Sequence, residues 1–318
     1  MMDDMILKSF YSKSKMFLSA ATIITILIFL PFIYPNLYIL SFLITIFIST
    51  ILAESFNIFS GYSGLVCLGY AAFYGIGAYA SAILINSGIS PFISFIISGV
   101  AGVALAAFIG SITLRLRSIY FVMVTFSFGE ILREIFRNWK AVGGALGITL
   151  PPTYTYVAVY FVTLLTMLTC VVVTYKLEKS KIGLYLVAIR ENEEAAEALG
   201  INVFKYRIIA FCLSCFFPSV TGGLYAWWMT YIDPPTVFSI LVSLNAIIMT
   251  TFGGKGTWLG PILGTLILGT IGEILWANFP YAYLSIYAVA LILIVLFLPE
   301  GLIKPLQAII SSASTDKK

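Results

Sequence analysis

The sequence predicts an all-α polytopic membrane protein, with about 8–10 transmembrane helices and a short charged helix on the cytoplasmic side. Of its 318 residues, 60% are hydrophobic and 10% are charged, whereas about 25% are charged in an average globular protein. The mean hydropathy is +1.03. Apolar stretches recur along the chain, and residues 176–206 form its one long charged interruption. These features predict a single transmembrane domain over residues 1–318.

A bilayer core about 30 Å thick is crossed by roughly 20 mainly apolar residues in a helix. Ten stretches fulfil this condition: 16–34, 36–52, 64–85, 91–113, 118–136, 155–175, 207–230, 236–252, 258–276 and 281–298. The second and eighth are short and could be partly re-entrant, which would leave eight or nine crossings. A cleaved signal peptide is not expected, because the first stretch is long and no small-residue cleavage site follows it.

The basic residues predict the orientation, because cytoplasmic loops of membrane proteins are enriched in Lys and Arg. With the ten stretches above, 15 of the 18 basic residues fall on one side. The other side carries only Arg133, Arg137 and Lys140. We therefore expect a multi-pass protein of the plasma (inner) membrane with both termini in the cytoplasm.

Small residues at helical spacing predict close helix contacts in lipid. One face of the fourth stretch carries Gly99, Gly102, Ala106 and Gly110. Pro218 lies inside the seventh stretch, and Gly222 and Gly223 follow it closely. A proline inside a helix removes a backbone hydrogen bond, so this stretch is the best candidate for a broken or bent helix.

The composition leaves little room for catalysis or for a cofactor. Histidine is absent, which removes His-ligated metals and His acid/base chemistry. The four cysteines lie in apolar runs without the positive surroundings that activate thiols: Cys67, Cys170, Cys212 and Cys215. The charges are too sparse for a nucleic-acid surface. We expect no enzyme, no metal, no cofactor and no nucleic-acid partner; the partner surface is membrane lipid.

The charged segment 176–206 contains a short helix with features of a docking element. Residues 190–199 have high helix propensity, and their acidic residues crowd the first turns, where the helix dipole favours them. Gly200 ends the run. An alanine-rich face beside an acidic rim suits a groove on another protein better than it suits a plain connector.

Within this segment, Glu194, Ala195, Ala196 and Gly200 resemble the cytoplasmic coupling motif of ATP-binding cassette (ABC) importer permeases. The surroundings resemble the branched-chain amino acid permease family, on the LivM-like side of its two paralogous subunits, from about residue 52 to 303. The motifs that carry the resemblance are Gly61-Tyr62-x-Gly64-Leu65-x-x-Leu68-Gly69, Arg115-Leu116-x-x-x-Tyr120-Phe121, Gly143-Gly144-x-x-Gly147, Ala188-Ile189-Arg190-Glu191-Asn192-Glu193, Gly253-Gly254-x-Gly256-Thr257 and Pro299-x-Gly301-Leu302. Their order and spacing together are specific.

The resemblance implies a transport complex. It consists of a paralogous LivH-like permease subunit or a second copy of this chain, two ATP-binding subunits and an external substrate-binding protein. The sequence itself has no Walker A loop, because Met249 and Gly256 stand where its first Gly and its hydroxyl residue would be. The resemblance assigns coupling to the ATPase to Arg190, Glu191, Glu194, Ala195, Ala196 and Gly200.

Polar residues inside membrane spans are candidates for a translocation path or for a structural lock. They are Asn57, Cys67, Tyr70, Glu130 and Asn245. The family usually has Ser and His where this chain has Cys67 and Tyr70, and Gly is common where it has Ser219. A structural ion pair is favoured for Glu130, since Arg133 lies one turn on.

Three functions compete for a membrane protein of this composition. The first is an ABC permease for amino acids of the branched-chain type, with urea or short amides as alternative cargo. The second is a secondary transporter or channel, which needs ion-coordinating residues across paired broken helices. The scattered carboxylates Glu54, Glu130 and Glu273 do not make such a set. The third, a membrane enzyme, lacks clustered nucleophiles.

Overall fold

The computed structural model describes residues 22–34, 36–116, 118–152, 156–279, 289 and 301–302. These ranges hold twelve α-helices and one two-stranded antiparallel ribbon. The elements in chain order are α1 (Thr22–Ile33), α2 (Leu37–Phe56), a π-helical turn (Asn57–Gly61), α3 (Tyr70–Asn86), α4 (Pro91–Thr113), α5 (Ser118–Asn138), two 3-10 turns (Lys140–Val142 and Gly144–Leu146), β1 (Ile148–Thr149), α6 (Tyr156–Glu178), α7 (Lys181–Glu191), α8 (Glu193–Ala198), α9 (Val203–Met229), β2 (Tyr231–Ile232), α10 (Pro234–Val237), α11 (Ile240–Gly253) and α12 (Gly260–Asn278).

The predicted class, an all-α polytopic membrane protein, is confirmed. Within the described residues, five helical segments are long and apolar enough to cross a membrane: Leu37–Gly61, Pro91–Thr113, Tyr156–Glu178, Val203–Met229 and Pro234–Gly253. α1 and Gly260–Leu275 are shorter apolar helices. The first nine predicted stretches each contain a helix, and the tenth, 281–298, lies outside the described residues, as do both termini.

The helix break lies in a different place from the predicted one. α9 runs without interruption from Val203 to Met229, through Pro218. The irregular segment follows α2 instead, where the helix widens into the π-helical turn and then gives way to non-helical backbone before α3 begins at Tyr70. Gly64 there adopts φ +79°, a left-handed conformation that glycine reaches without strain. The third predicted stretch is therefore helical only from Tyr70.

Side chains satisfy the backbone of this irregular segment. The Cys67 N–H donates to Ser60 Oγ at 3.3 Å, and the Leu68 N–H donates to Thr125 Oγ1 of α5 at 3.3 Å. Unpaired backbone groups are costly inside a membrane, so non-helical backbone is tolerated there only where protein surrounds it. Apart from the exposed Gly64 and Val66, the segment is largely buried.

α9 is the centre of the bundle and packs closely on α3 and α4. A Cβ placed on Gly77 of α3 would lie 1.9 Å from the carbonyl oxygen of Ser219, and one on Gly102 of α4 would lie 1.9 Å from Ser219 Oγ. A Cβ on Gly222 of α9 would lie 1.9 Å from the Tyr74 carbonyl oxygen. These positions accept only glycine at the observed helix separation.

Hydrogen bonds connect loops and helices at the two opposite ends of the bundle. At the first end, Arg190 Nη1 donates to the Gly61 carbonyl, and the Trp258 N–H donates to Glu178. At the second end, Asn86 Nδ2 donates to the carbonyl of Thr149, and β1 pairs with β2. We call these the coupling end and the ribbon end.

The glycines around α9 give a stability prediction. Gly77→Ala should lower the melting temperature of the detergent-purified protein, because overpacking costs roughly 1–3 kcal/mol and the obstructing atom here is backbone. Gly129→Ala in α5 is the matched control, since its Cβ would meet nothing closer than Ala72 Cβ at 4.0 Å. Equal melting temperatures for the two variants would contradict the close packing.

Candidate functional site

The helix predicted in the charged segment is present as α8, and its ends are well capped. The Asn192 side chain accepts a hydrogen bond from the Ala195 N–H at 3.0 Å, which satisfies one of the free donors of the first turn. Glu193 and Glu194 occupy that turn. At the other end, Gly200 adopts φ +81°, and the Ile201 N–H returns to the Ala196 carbonyl at 3.0 Å. This Schellman arrangement ends the helix and turns the chain towards α9.

α8 presents an acidic face with one exposed leucine. The exposed residues of this face are Glu194, Ala195 and Glu197 of α8 and the neighbouring Glu191 at the end of α7. Leu199, directly after α8, has 81% of its surface accessible. Ala196, in contrast, is 2% exposed and packs against Ile189 and Val203. Of the two candidate alanines, only Ala195 faces outward. Ala196 instead seats α8 on α7 and α9.

An ion pair between the buried Arg207 and the half-exposed Glu193 fixes α8 to α9. Arg207 donates from Nη1 and Nη2 to the two carboxylate oxygens of Glu193 at 2.7 and 2.8 Å, and only 7% of the Arg207 side chain is exposed. Such a two-bond geometry is strong and directional. The residue patterns used above do not predict this pair. An arginine at the start of an apolar span, following an acidic helix, is the signal that could have found it.

Arg190 links the charged segment 176–206, called the coupling segment below, to the transmembrane bundle. Its Nη1 donates to the Gly61 carbonyl at 3.0 Å, and its Nη2 donates to Glu191 Oε1 at 2.8 Å. Gly64 and Gly256 make room for it, since a Cβ on either would lie 2.8 Å from the arginine side chain. The loop between α11 and α12 thus lies against the same guanidinium.

Asn57 joins this arrangement from inside the bundle. Its Nδ2 donates to the Thr257 carbonyl at 2.8 Å, and its Oδ1 accepts from the Gly256 N–H at 2.7 Å. The residue is fully buried. Both halves of the amide are used to hold the α11–α12 loop, so Asn57 has the geometry of a structural lock.

Glu178 holds the same loop from α6. Its Oε2 accepts from the Trp258 N–H at 3.0 Å and from the Tyr62 hydroxyl at 3.3 Å. Burial, reinforced by Glu178, raises the pKa of the Tyr62 hydroxyl above its ordinary value, so the phenol stays a neutral donor. Arg190, Asn57 and Glu178 therefore converge on one short loop.

Two further candidates, Cys67 and Tyr70, are buried in the interior near this end. The Tyr70 hydroxyl lies 3.2 Å from the Ser55 carbonyl and 3.1 Å from Ser214 Oγ, which ties α3 to α2 and α9. Cys67 Sγ accepts from the Gly69 N–H at 3.4 Å. Both side chains are fully buried, an arrangement that fits a lock better than a path.

Glu130 and Asn245 lie apart from the coupling end. Glu130 forms an ion pair with Arg133 on α5, in the manner that its spacing predicts, and 29% of its side chain is exposed. Asn245 of α11 lines a cavity that opens at the ribbon end. In the described part of the chain, no group of three or more His, Cys, Asp or Glu residues could hold a metal ion.

Apolar membrane-spanning helices and one capped, charged helix at one end of the bundle define an all-α polytopic membrane protein. The chain belongs to the family described as the branched-chain amino acid transport system / permease component, whose sequence model matches residues 38–298.

Individual relatives differ in their stated cargo. The high-affinity branched-chain amino acid transport system permease protein LivM of Escherichia coli K12 is 27% identical over 286 residues, covering 80% of this chain and 67% of that protein. The nucleoside ABC transporter permease protein NupC of Lactococcus lactis subsp. cremoris is 25% identical, over 67% of this chain and 74% of its own. The ribose import permease protein RbsC of Haemophilus influenzae is 29% identical, over 40% of this chain and 41% of its own.

Gly200 gives a local test of how the coupling segment is built. A Cβ at this position would meet nothing within 4 Å. Glycine is therefore required there by its backbone conformation, and not by lack of space for a side chain. Gly200→Val should speed amide hydrogen exchange in residues 196–201 by about tenfold, as a left-handed penalty of roughly 1–2 kcal/mol implies. Gly200→Asn is the matched control, because Asn tolerates this region. Equally fast exchange in both variants would exclude the conformational explanation.

Proposed function

We propose that this chain is the transmembrane subunit of an ABC importer that moves branched-chain amino acids, namely leucine, isoleucine and valine, across the plasma membrane. Separate ATPase subunits drive the transport. The observation that carries the proposal is the capped α8 at the coupling end, in a chain of this family that has no Walker A loop of its own. The extent of the likeness to LivM, 80% of the chain, favours amino acids over ribose.

The coupling residues have distinct roles in this proposal. Glu194, Ala195 and Leu199 form the outward surface that an ATPase groove would receive. Glu191 pairs with Arg190, which carries movement of the segment to the Gly61 carbonyl. Ala196 and Gly200 keep α8 in place. A rigid contact of this kind is needed if hydrolysis in one subunit is to move helices in another.

The proposed complex contains a LivH-like permease subunit or a second copy of this chain, two ATP-binding subunits and an external substrate-binding protein. The relatives include LivH of Salmonella typhimurium, a branched-chain permease protein 27% identical over 54% of this chain. Urea or a short amide is the alternative cargo, and a secondary transporter or channel is the alternative mechanism. α5 carries partly exposed charged side chains, which include Glu130 and Arg133. Because charged groups are costly in lipid, this face of α5 is expected to contact another protein subunit or water.

The orientation can be tested by thiol labelling. The coupling end carries most of the basic loops, so we propose that it faces the cytoplasm together with both termini. In intact cells and a cysteine-free background, Ser87→Cys should react with an impermeant thiol reagent, because Ser87 lies in the loop at the ribbon end. Ser180→Cys, which precedes α7, should react only after the membrane is opened. The reverse pattern would overturn the orientation.

Transport is tested in proteoliposomes that contain the complete complex. The chain alone should insert and hydrolyse no ATP, whereas the complex should show leucine-stimulated hydrolysis and uptake. Arg190→Gln should lower uptake per ATP hydrolysed, because the bond to the Gly61 carbonyl is lost. Arg137→Gln, an exposed arginine of α5, is the matched control and should couple normally.

One result would contradict the importer itself, and another would contradict only the role of Arg190. Leucine uptake by the chain alone without nucleotide would favour the secondary transporter. Normal coupling in the Arg190→Gln complex would remove the role of that residue while leaving the importer assignment intact.

A further inference from the structure

A cavity of about 560 Å³ opens at the ribbon end, opposite to the coupling segment. We call it the outer chamber, and its walls come from α2, α3, α9, α10 and α11. Pro235 and Thr236 of α10 lie at its mouth, next to β2. Leu52 and Met249, both buried in the bundle, form its floor. Its volume is in the range of small-molecule sites.

Among the residues that the structure describes, the lining of the outer chamber contains no charged side chain. One wall is aliphatic, formed by Ile48, Leu52 and Met249. The facing wall is aromatic. Tyr74 lies 5.7 Å from Tyr225 between ring centroids, and Tyr225 lies 6.4 Å from Trp228. Such aromatic faces attract an ammonium group.

Two polar groups of the chamber have no hydrogen-bond partner in the part of the chain that the structure describes. One is the hydroxyl of Tyr74, a residue that is only 4% exposed. The other is the side-chain amide of Asn245, which lines the chamber. A polar group that faces a cavity can take a ligand or water as its hydrogen-bond partner.

The chamber also contains the start of a helix. α10 ends at Val237, and α11 begins anew at Ile240 after its cap residue Ser239, which lines the chamber. α11 has 14 residues, enough for an effective dipole. The positive end of a discontinuous membrane helix is suited to a carboxylate.

We infer that the outer chamber binds the transported solute as a zwitterionic amino acid with an aliphatic side chain, an inference that rests on the proposed function. The carboxylate lies at the start of α11 and near the Tyr74 hydroxyl. The ammonium lies on the aromatic wall and donates a hydrogen bond to Asn245 Oδ1. The side chain packs on Ile48, Leu52 and Met249. A charged side chain would lose its hydration without gaining a counter-ion, so Lys and Glu are excluded.

Chamber occupancy is tested by uptake in the reconstituted complex. Ser49→Phe fills the chamber and should abolish ATP-driven leucine uptake, whereas Ser111→Phe on the exposed side of α4 should not. Asn245→Leu should raise the KM for leucine about tenfold, the effect of one lost hydrogen bond to a charged group. Normal leucine transport by Ser49→Phe and Asn245→Leu would overturn the chamber and leave the proposed function standing.

Thiol protection gives a second readout that does not depend on transport. Asn245→Cys is combined with Cys212→Ser, because the other three cysteines are buried. A methanethiosulfonate reagent should label Cys at 245, and leucine should slow the labelling, whereas lysine, glutamate and ribose should not. Absence of labelling, or protection by ribose instead of leucine, would overturn the inference. Protection by leucine in a complex that shows no ATP-driven uptake would support the chamber and contradict the proposed function.

Discussion

The close approach of α3 and α4 to α9 is the constraint on which the rest of this bundle depends. Lipid offers no hydrophobic force between helices, so their association depends on close packing and on interhelical hydrogen bonds. Ser219 supplies both. Gly77 and Gly102 leave space for it, and its hydroxyl donates to the Phe73 carbonyl at 3.0 Å. A glycine, which is common in the family at this position, would allow the packing but not the bond.

The coupling segment is built onto this core. α9 begins two residues after the turn at Ile201, and Arg207 near its start holds Glu193 of α8. A second connection runs from Arg190 to Gly61, and the neighbouring Asn57 holds the α11–α12 loop. α8 and the residues beside it are therefore connected to the bundle at two points, the central helix and the irregular segment after α2. Under the proposed function, the energy of an external ATPase enters the membrane through these contacts.

The two ends of the bundle differ in chemistry in a way that suits opposite tasks. The coupling end is charged, and several of its polar groups are paired, as in Arg207 with Glu193 and Asn57 with the α11–α12 loop. In the described part of the chain, the outer chamber at the ribbon end is lined by uncharged residues, and the polar groups of Tyr74 and Asn245 have no hydrogen-bond partner there. Paired groups give rigidity, whereas unpaired groups facing a cavity are available to a ligand.

The sequence alone determined the membrane class, the helical stretches, the basic asymmetry and the capped helix ended by Gly200, because these depend on local hydropathy, charge and backbone conformation. Tertiary structure decided the remainder. Pro218 leaves α9 unbroken, and the irregular backbone lies at residues 64–69, where side chains from neighbouring segments satisfy it. Three features depend on which helices become neighbours: the inward position of Ala196, the ion pair of Arg207 with Glu193, and the hydrogen bonds of Asn57 to the α11–α12 loop. Hydropathy cannot specify this in a chain whose helices are apolar on nearly every face.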